Sequence, residues 1–265
     1  MGILSRQRVA RVAALACGLL SFQTASAFDA AVPLQLGPQL RAVASSEPFG
    51  LIAIPVSAGS VHDKWSMLKG KLDDERVQLA LCDGDRDGCA SDAALQFLAI
   101  VDTGRAREGR ARLGEINRAI NLAIRAASDL AEYGEIDVWS SPLATFAHGA
   151  GDCEDYAIAK FVALRQAGVP AEDLRIIIMR DISHGEDHAV AAARLDGHWL
   201  MLDNRHMAMV EDAYVRNYRP LFAIGETGLS RYVDQPLEAR ATGRNIAPSP
   251  AVNPIAQPSL ITASN

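Results

Sequence analysis

Several features that mark whole classes of protein are missing from this 265-residue chain. No apolar run reaches the length of about 20 residues that a bilayer-spanning helix needs, which argues against stable membrane insertion. The histidines form no helical His-Glu-x-x-His motif of a metal hydrolase, and no glycine-rich phosphate-binding loop occurs. The 26 Lys and Arg are outnumbered by 32 Asp and Glu, which argues against nucleic acid as a partner.

The first 27 residues have the three parts of a secretory signal peptide. Three arginines come before an apolar run over residues 12–20, and the small residues Ala25, Ser26 and Ala27 follow it. We therefore expect cleavage after residue 27 and a mature chain with a formal net charge of about −9, since three positive charges are removed. Cys17 lies inside the apolar run, but the residues before it are a poor lipidation signal, so a lipoprotein is disfavoured.

Three cysteines remain after the signal peptide, and their spacing favours one local bridge. Cys82 and Cys89 are close enough along the chain to pair in an oxidising compartment, which leaves Cys153 as the free thiol. The acidic stretch 83–88 between the first two has the spacing of the start of a calcium loop. Position twelve of such a loop would be Ala94 rather than a carboxylate, so an acidic turn closed by a disulfide is favoured.

Hydrophobic periodicity divides the mature chain into three segments. Residues 28–60 are predicted to be an extended leading segment, and residues 61–233 a catalytic domain whose first half is helical. The clearest helix is predicted over residues 105–133, where apolar residues recur at three-to-four spacing and arginines occupy the wetter faces. Residues 234–265 are rich in Pro, Ala, Ser and Asn and are expected to be disordered.

Cys153 lies at the predicted start of a helix over residues 152–168. Asp152 is the expected N-cap, and Gly168 marks the end of the helix. Unpaired N–H groups and the helix dipole at such a start lower the pKa of a thiol and make a thiolate available. Neighbouring carboxylates, among them Glu154, act in the opposite sense, and a bound cation would resolve the conflict. The alternative for this cysteine is a small buried hydrophobe.

A predicted β-hairpin supplies a base and an acid that orients it. Residues 174–179 form an apolar run that fits a buried strand, and the later dipeptide Asp-Gly at 196–197 favours a two-residue hairpin turn. Counting back from this turn places His188 and Asp203 on one face as diagonal neighbours, within reach of each other. A cysteine, a base and an orienting acid suit nucleophilic catalysis. His184 is held as the reserve base.

Separate motifs around these residues resemble one known family. The chain is similar, from about residue 116 to residue 225, to the bacterial transglutaminase-like cysteine peptidases, and within them to the LapG-type periplasmic proteases. The matching motifs are Asp137-Val-Trp139-Ser-Ser-Pro142, Gly149-Ala-Gly-Asp-Cys-Glu-Asp-Tyr156, Gly185-Glu-Asp-His188-Ala-Val and Leu202-Asp203-Asn-Arg205.

The resemblance implies an α+β fold that is papain-like or transglutaminase-like, with a helical N-terminal half and the nucleophile at a helix start packed on an antiparallel sheet. It also implies a periplasmic cysteine endopeptidase with Cys153, His188 and Asp203 as catalytic residues and with Ca²⁺ bound by Asp152 and Glu154. LapG-type members cut large surface adhesins and so control biofilm attachment. In some of them an inner-membrane receptor for cyclic di-GMP holds the protease inactive.

Two other functions remain open for the same residues. In a transglutaminase-like acyl transferase an amine, rather than water, would resolve the thioester on Cys153. In a catalytically inactive calcium-binding module the thiol would react no faster than a model thiol. Trp139 is expected either to form a wall of the substrate cleft or to be a buried structural tryptophan.

Overall fold

A computed structural model describes residues 46–233 of the chain. The predicted signal peptide, Cys17 and the predicted tail 234–265 lie outside the described residues. The helices are α1 (Ser60–Gly84), α2 (Asp92–Arg105), α3 (Gly109–Ala123), α4 (Asp129–Glu132), α5 (Pro142–His148) and α6 (Cys153–Gln166). The strands are β1 (Ile52–Pro55), β2 (Arg125–Ala126), β3 (Ala150–Gly151), β4 (Leu174–Asp181), β5 (Glu186–Leu195), β6 (His198–Leu202), β7 (Val210–Glu211), β8 (Tyr218–Gly225) and β9 (Gly228–Val233).

One antiparallel sheet organises the second half of the chain. Its seven strands lie in the order β1-β9-β8-β4-β5-β6-β7, and β2 and β3 form a separate short parallel pair. Strand β1 belongs to the segment 28–60, which the sequence analysis placed ahead of the catalytic domain, and it pairs with β9 at one edge of the sheet. Helices followed by an antiparallel sheet confirm the predicted α+β fold.

Both faces of the central strands are buried, which explains their continuous apolar sequence. Ile176 and Ile178 of β4 belong to the large core that the sheet shares with the helices, whereas Ile177 and Met179 belong to a smaller cluster on the other face. Successive strand residues point to opposite faces, so a strand with two covered faces needs apolar residues throughout. The buried strand predicted over residues 174–179 is confirmed.

The hairpin β5–β6 has the predicted turn and register. Leu195 pairs with His198, and the two residues between them, Asp196 and Gly197, have φ values of 52° and 84°. Positive φ at both central residues is typical of the two-residue hairpin turn that suits twisted strands. Because the turn fixes the register, it also fixes which residues face each other further along both strands. Regular pairing ends at Leu202, so Asp203 lies just beyond the end of β6.

The single helix predicted over residues 105–133 is wrong. The chain turns between α2 and α3, and α3 ends at Ala123 because Ile124 has an extended backbone with φ −106° and ψ 133°. The chain then pairs with residues 149–151 through β2 and β3. Ile124 is nevertheless buried, so apolar spacing continues beyond the point where the helix stops.

The structure contains the predicted local disulfide between Cys82 and Cys89 and leaves Cys153 free. Asp83, the first residue after Cys82, forms ion pairs with Arg86 and Arg105. Protein cations therefore pair with this part of the acidic turn. No helix within residues 46–233 combines the length and the apolar content that crossing a bilayer requires.

Candidate active site

The nucleophile candidate lies where helix α6 meets strand β5. Cys153 is the first residue of α6 and Asp152 is its N-cap position, as predicted, although the Asp152 side chain makes no capping hydrogen bond. The thiol donates to Glu154 Oε2 at 3.0 Å. The backbone N–H of Ala189 donates to the sulfur from β5, so the sulfur lies beside the residue that follows His188.

His188 and Asp203 form the pair that the hairpin register predicted. His188 Nε2 is 3.0 Å from Asp203 Oδ1, and the backbone N–H of Arg205 donates to the same oxygen at 2.9 Å. Burial acts to raise the pKa of Asp203, but the hydrogen bonds from His188 and from the Arg205 N–H, together with the attraction of nearby histidines, outweigh burial and the pKa is lowered. His188 is buried, and its Nδ1 has no hydrogen-bond partner among the described residues. The Tyr218 ring packs against the imidazole with centroids 5.9 Å apart.

Cys153 and His188 line one open cleft of about 670 Å³. Trp139 lies on the same cleft and donates from Nε1 to Asp137 Oδ1, so it is a cleft residue that also packs against the core. Apolar side chains form much of the remaining wall: Val61, Leu130, Ile136 and Ile178. A cleft of this volume is within the range of ligand-binding sites.

Three acidic side chains converge beside the nucleophile. Asp129, Asp152 and Asp155 each offer a carboxylate oxygen, and these oxygens lie within 4.8 Å of one another. Two of these carboxylates also accept a backbone hydrogen bond through their other oxygen. The N–H of Val138 donates to Asp129, and the N–H of Ser140 donates to Asp155. Asp129 Oδ1, Asp152 Oδ1 and Asp155 Oδ2 are buried without a hydrogen-bond partner among the described residues. Buried acids left unpaired in this way are costly unless a cation balances them.

The donor set suits a hard divalent cation. Carboxylate oxygens are the ligands that Ca²⁺ prefers, and three unpaired ones converge here. The family resemblance implied Asp152 and Glu154 for this role, and Asp129 and Asp155 are further candidate ligands in the structure. Glu154 belongs to a second group, with Asp152 and the thiol of Cys153, in which one ligand atom from each lies within 4.8 Å of the others.

A glycine allows the acidic cluster to pack closely. A Cβ atom on Gly151 would lie 2.7 Å from Asp155 Oδ2, nearer than such contacts allow. The strand β3 therefore needs glycine at this position for the carboxylate of Asp155 to lie against it.

Burial and mutual repulsion shift the ionisation of this side of the cleft. Burial raises the pKa of Asp155 to about 7 and raises the pKa of both Asp129 and Asp152. The pKa of the Cys153 thiol is also raised well above its usual range, first by burial and then by the charge of Glu154. Burial and the neighbouring carboxylates therefore disfavour the thiolate that the helix start was expected to favour.

Two further side chains near the site differ in their importance. The ring of His184, the reserve base, bonds to Asp181 at 2.9 Å and is not among the residues lining the cleft. The sequence analysis did not predict a role for Lys160 near the site. Lys160 is fully buried, and its Nζ donates to the carbonyl oxygen of Leu202 at 3.1 Å. Its signal in the sequence is a lysine inside the apolar stretch of a helix.

The mixed helical and antiparallel architecture, with a free thiol at a helix start beside a histidine–aspartate pair, defines a transglutaminase-like cysteine peptidase. The family model described as bacterial transglutaminase-like cysteine proteinase, BTLCP, matches residues 78–221. This is more than half of the chain, and the chain belongs to that family. The matched range includes Cys153, His188 and Asp203.

Solved structures of Legionella pneumophila LapG share the fold. One is 21% identical, with a TM-score of 0.50, and the match covers 63% of this chain and 91% of that chain. An EGTA-treated form is 22% identical, with a TM-score of 0.50 and coverage of 60% and 86%. A calcium-bound form is 22% identical, with a TM-score of 0.49 and coverage of 59% and 86%. No curated protein matches the chain by sequence.

Proposed function

We propose that this cysteine peptidase is a calcium-dependent periplasmic endopeptidase in which Cys153, His188 and Asp203 form the catalytic triad. We further propose that it trims a large cell-surface adhesin and thereby controls biofilm attachment, and that an inner-membrane receptor for cyclic di-GMP restrains it. The observation that carries the catalytic part is that His188, which bonds to Asp203, lines the same cleft as the free thiol.

The proton path follows from the two ring nitrogens of His188. Asp203 accepts a hydrogen bond from Nε2, which fixes the tautomer in which Nδ1 carries a lone pair. Nδ1 has no partner among the described residues, so it is available to take the thiol proton of Cys153. The thiol proton, which now points to Glu154, has to turn from that carboxylate before the transfer.

Acyl transfer then proceeds at the start of helix α6. The thiolate of Cys153 attacks the peptide carbonyl, and the backbone N–H of the same residue contributes to an oxyanion hole. The imidazolium of His188 gives its proton to the leaving amine, while the carboxylate of Asp203 stabilises the charged ring. Water, activated by the same ring, hydrolyses the thioester and restores the thiol.

Calcium fits the acidic side of the cleft. We propose that Asp129, Asp152, Asp155 and Glu154 would hold it, since three of these acids have buried oxygens without partners. When bound, the ion would neutralise the negative charge that raises the pKa of the neighbouring thiol. LapG of Legionella pneumophila has been solved both with calcium and after EGTA treatment, and a calcium-dependent role in this chain is consistent with those two states.

Export, substrate and receptor are supported by sequence alone. The arginines, apolar run and small residues of positions 1–27 support cleavage by signal peptidase and a periplasmic location. The motifs shared with LapG-type proteases support an adhesin as the substrate and a cyclic di-GMP receptor as the partner. The acidic composition supports a protein substrate rather than nucleic acid.

The test compares cells that express the wild-type chain with cells that express Cys153→Ala. We expect the envelope proteome of the wild-type cells to contain a large surface protein shortened near its N-terminus, and the variant cells to retain it at full length. Purified wild-type protein should cut that protein with Ca²⁺ and lose the activity with EGTA. Joining of glutamine side chains to amines faster than cleavage would contradict an endopeptidase and indicate an acyl transferase.

A further inference from the structure

Lys160 is an ionisable side chain in a position where charge is costly. It is fully buried in α6, its Nζ donates to the Leu202 carbonyl oxygen at 3.1 Å, and Nζ lies 5.7 Å from the centroid of the Tyr156 ring. A neutral donor could make the same hydrogen bond without the cost of removing an ammonium group from water. A lysine at this position is therefore better tolerated where an opposite charge lies close by.

Asp203 supplies that opposite charge. It follows Leu202 directly, and its attraction to Lys160 opposes the effect of burial, which lowers the pKa of the lysine to about 7. A second helix holds the next carbonyl group, because Asn121 Nδ2 on α3 donates to the carbonyl oxygen of Asp203 at 3.0 Å. Two consecutive carbonyl groups are thus held by side chains from two helices, at the point where regular pairing of β6 ends.

Helix α6 connects this contact to the nucleophile. Cys153 and Lys160 are two helical turns apart, so both project from the same side of one rigid element. The hydroxyl of Tyr156 donates to the carbonyl oxygen of Ile124 at 2.5 Å, which fixes the helix against the end of α3. Helix α6 carries both the thiol and the contact with the end of β6. It therefore resists movement of that strand end relative to the thiol.

We propose that Lys160 is a positioning residue, which binds the end of β6 to the nucleophile helix and so holds the Asp203 carboxylate behind His188. The inference rests on the catalytic roles proposed above. Lys160 does not line the cleft and acts only through Asp203. Its loss should let the carboxylate move from the Nε2 side of the imidazole, after which the ring no longer keeps Nδ1 directed to the thiol.

The test uses the full chain with Lys160→Met and does not need the natural substrate. Methionine replaces the buried stem with an apolar side chain of similar length, a change that cores often tolerate. Two readouts are the low-field imidazole proton of His188 in nitrogen-labelled protein and the rate of Cys153 alkylation by iodoacetamide at neutral pH with Ca²⁺. We expect the proton signal to be lost and alkylation to slow by about tenfold or more, while unfolding stays cooperative.

Tyr156→Phe is the matched control, because it removes a buried polar group from the same helix and keeps the ring beside Lys160. We expect it to lower stability without changing the proton signal or the alkylation rate. Lys160→Leu answers the same question if the methionine variant does not fold. A proton signal and rate unchanged in either folded variant would overturn the positioning role. Absence of the signal or of selective labelling in the wild type would instead overturn the proposed triad itself.

Discussion

The two sides of the cleft differ in how far the protein itself satisfies their polar groups. On the strand side, Asp203 accepts hydrogen bonds from His188 and from a backbone N–H, and its pKa lies below its usual range. On the helix side, Asp129, Asp152 and Asp155 have buried oxygens without partners among the described residues, and the pKa of each is raised. The base and its acid are paired within the fold, whereas the carboxylates beside the nucleophile lack such partners within the described residues and are the groups proposed to bind a cation.

Cys153 lies between these two sides of the cleft and contacts both of them. Its sulfur receives the N–H of Ala189 from the strand side, but its thiol hydrogen points to Glu154 on the helix side. Burial, and then the charge of Glu154, thus disfavour the thiolate that the proposed chemistry requires. Each of the following predictions changes one side and measures whether the other side responds.

The largest effect is expected on the strand side, from Asp203→Asn. An amide cannot hold the imidazole of His188 in the required tautomer with the same charge, so cleavage should fall by roughly 10³–10⁴-fold. Added Ca²⁺ should not restore it, because the ion acts on the other side of the cleft. Asp196→Asn, at the turn of the same hairpin, is the control, since asparagine tolerates the positive φ there and activity should be retained. Rescue of Asp203→Asn by calcium would contradict the separation of the two sides.

The next effect is the dependence of stability on pH in the absence of Ca²⁺. Folded Asp155 keeps its proton up to about pH 7, whereas in the unfolded chain it releases the proton near its ordinary value of 3.8. The folded state therefore binds more protons between these values, so stability should fall as pH rises through this window, by roughly 4 kcal/mol at most. Thermal unfolding in EGTA at pH 5 and pH 8 measures this, and Asp155→Asn should flatten the slope. A melting temperature that rises with pH in EGTA would be the opposite result.

Calcium should stabilise the fold through the helix side alone. Binding to the folded state at a concentration of about 100 times Kd contributes about 2.7 kcal/mol, a rise in Tm of roughly 5–10 °C. Asp155→Asn should remove most of this rise. Asp87→Asn, in the acidic turn between the bridged cysteines, is the matched control and should leave it unchanged. Equal loss in both variants would show that the ion binds elsewhere.

The smallest effect on activity is expected from the disulfide. Replacing Cys82 and Cys89 together by serine removes a short closed loop, which should cost about 2 kcal/mol of stability on the loop-entropy model. Alkylation of Cys153 should keep its rate, because the bridge lies at the far end of α1 and contributes no group to the cleft. A changed rate would mean that the two cysteine sites are coupled.

Local signals predicted much of the site. A two-residue turn fixes the register of its strands, and strand residues alternate between the two faces with a period of two. Counting from Asp196 and Gly197 was therefore enough to predict that His188 and Asp203 lie close together. The position of α6 could also be predicted from local sequence, since aspartate is a favoured N-cap residue and Gly168 marks the end of the helical region.

Contacts that depend on tertiary packing could not be predicted in this way. The prediction of one helix over residues 105–133 was wrong because the apolar spacing continues through Ile124. Ile124 is buried, but its backbone is extended rather than helical. Asp129 joins the acidic cluster only after the chain folds back beside α6, and Lys160 finds its partner on a strand formed much later in the sequence. Neither contact leaves a pattern of spacing that a single sequence displays.

The most direct test of the account is the pH profile of Cys153 alkylation, measured once in EGTA and once with saturating Ca²⁺. Burial raises the thiol pKa most, and the negative charge of Glu154 and Asp152 raises it further, so an ion that neutralises this charge should shift the midpoint of the profile to lower pH by about one unit or more. Asp87→Asn should show the same shift as the wild type, and Asp155→Asn a much smaller one. Identical midpoints with and without Ca²⁺ would contradict the claim that the charge beside the thiol controls this site.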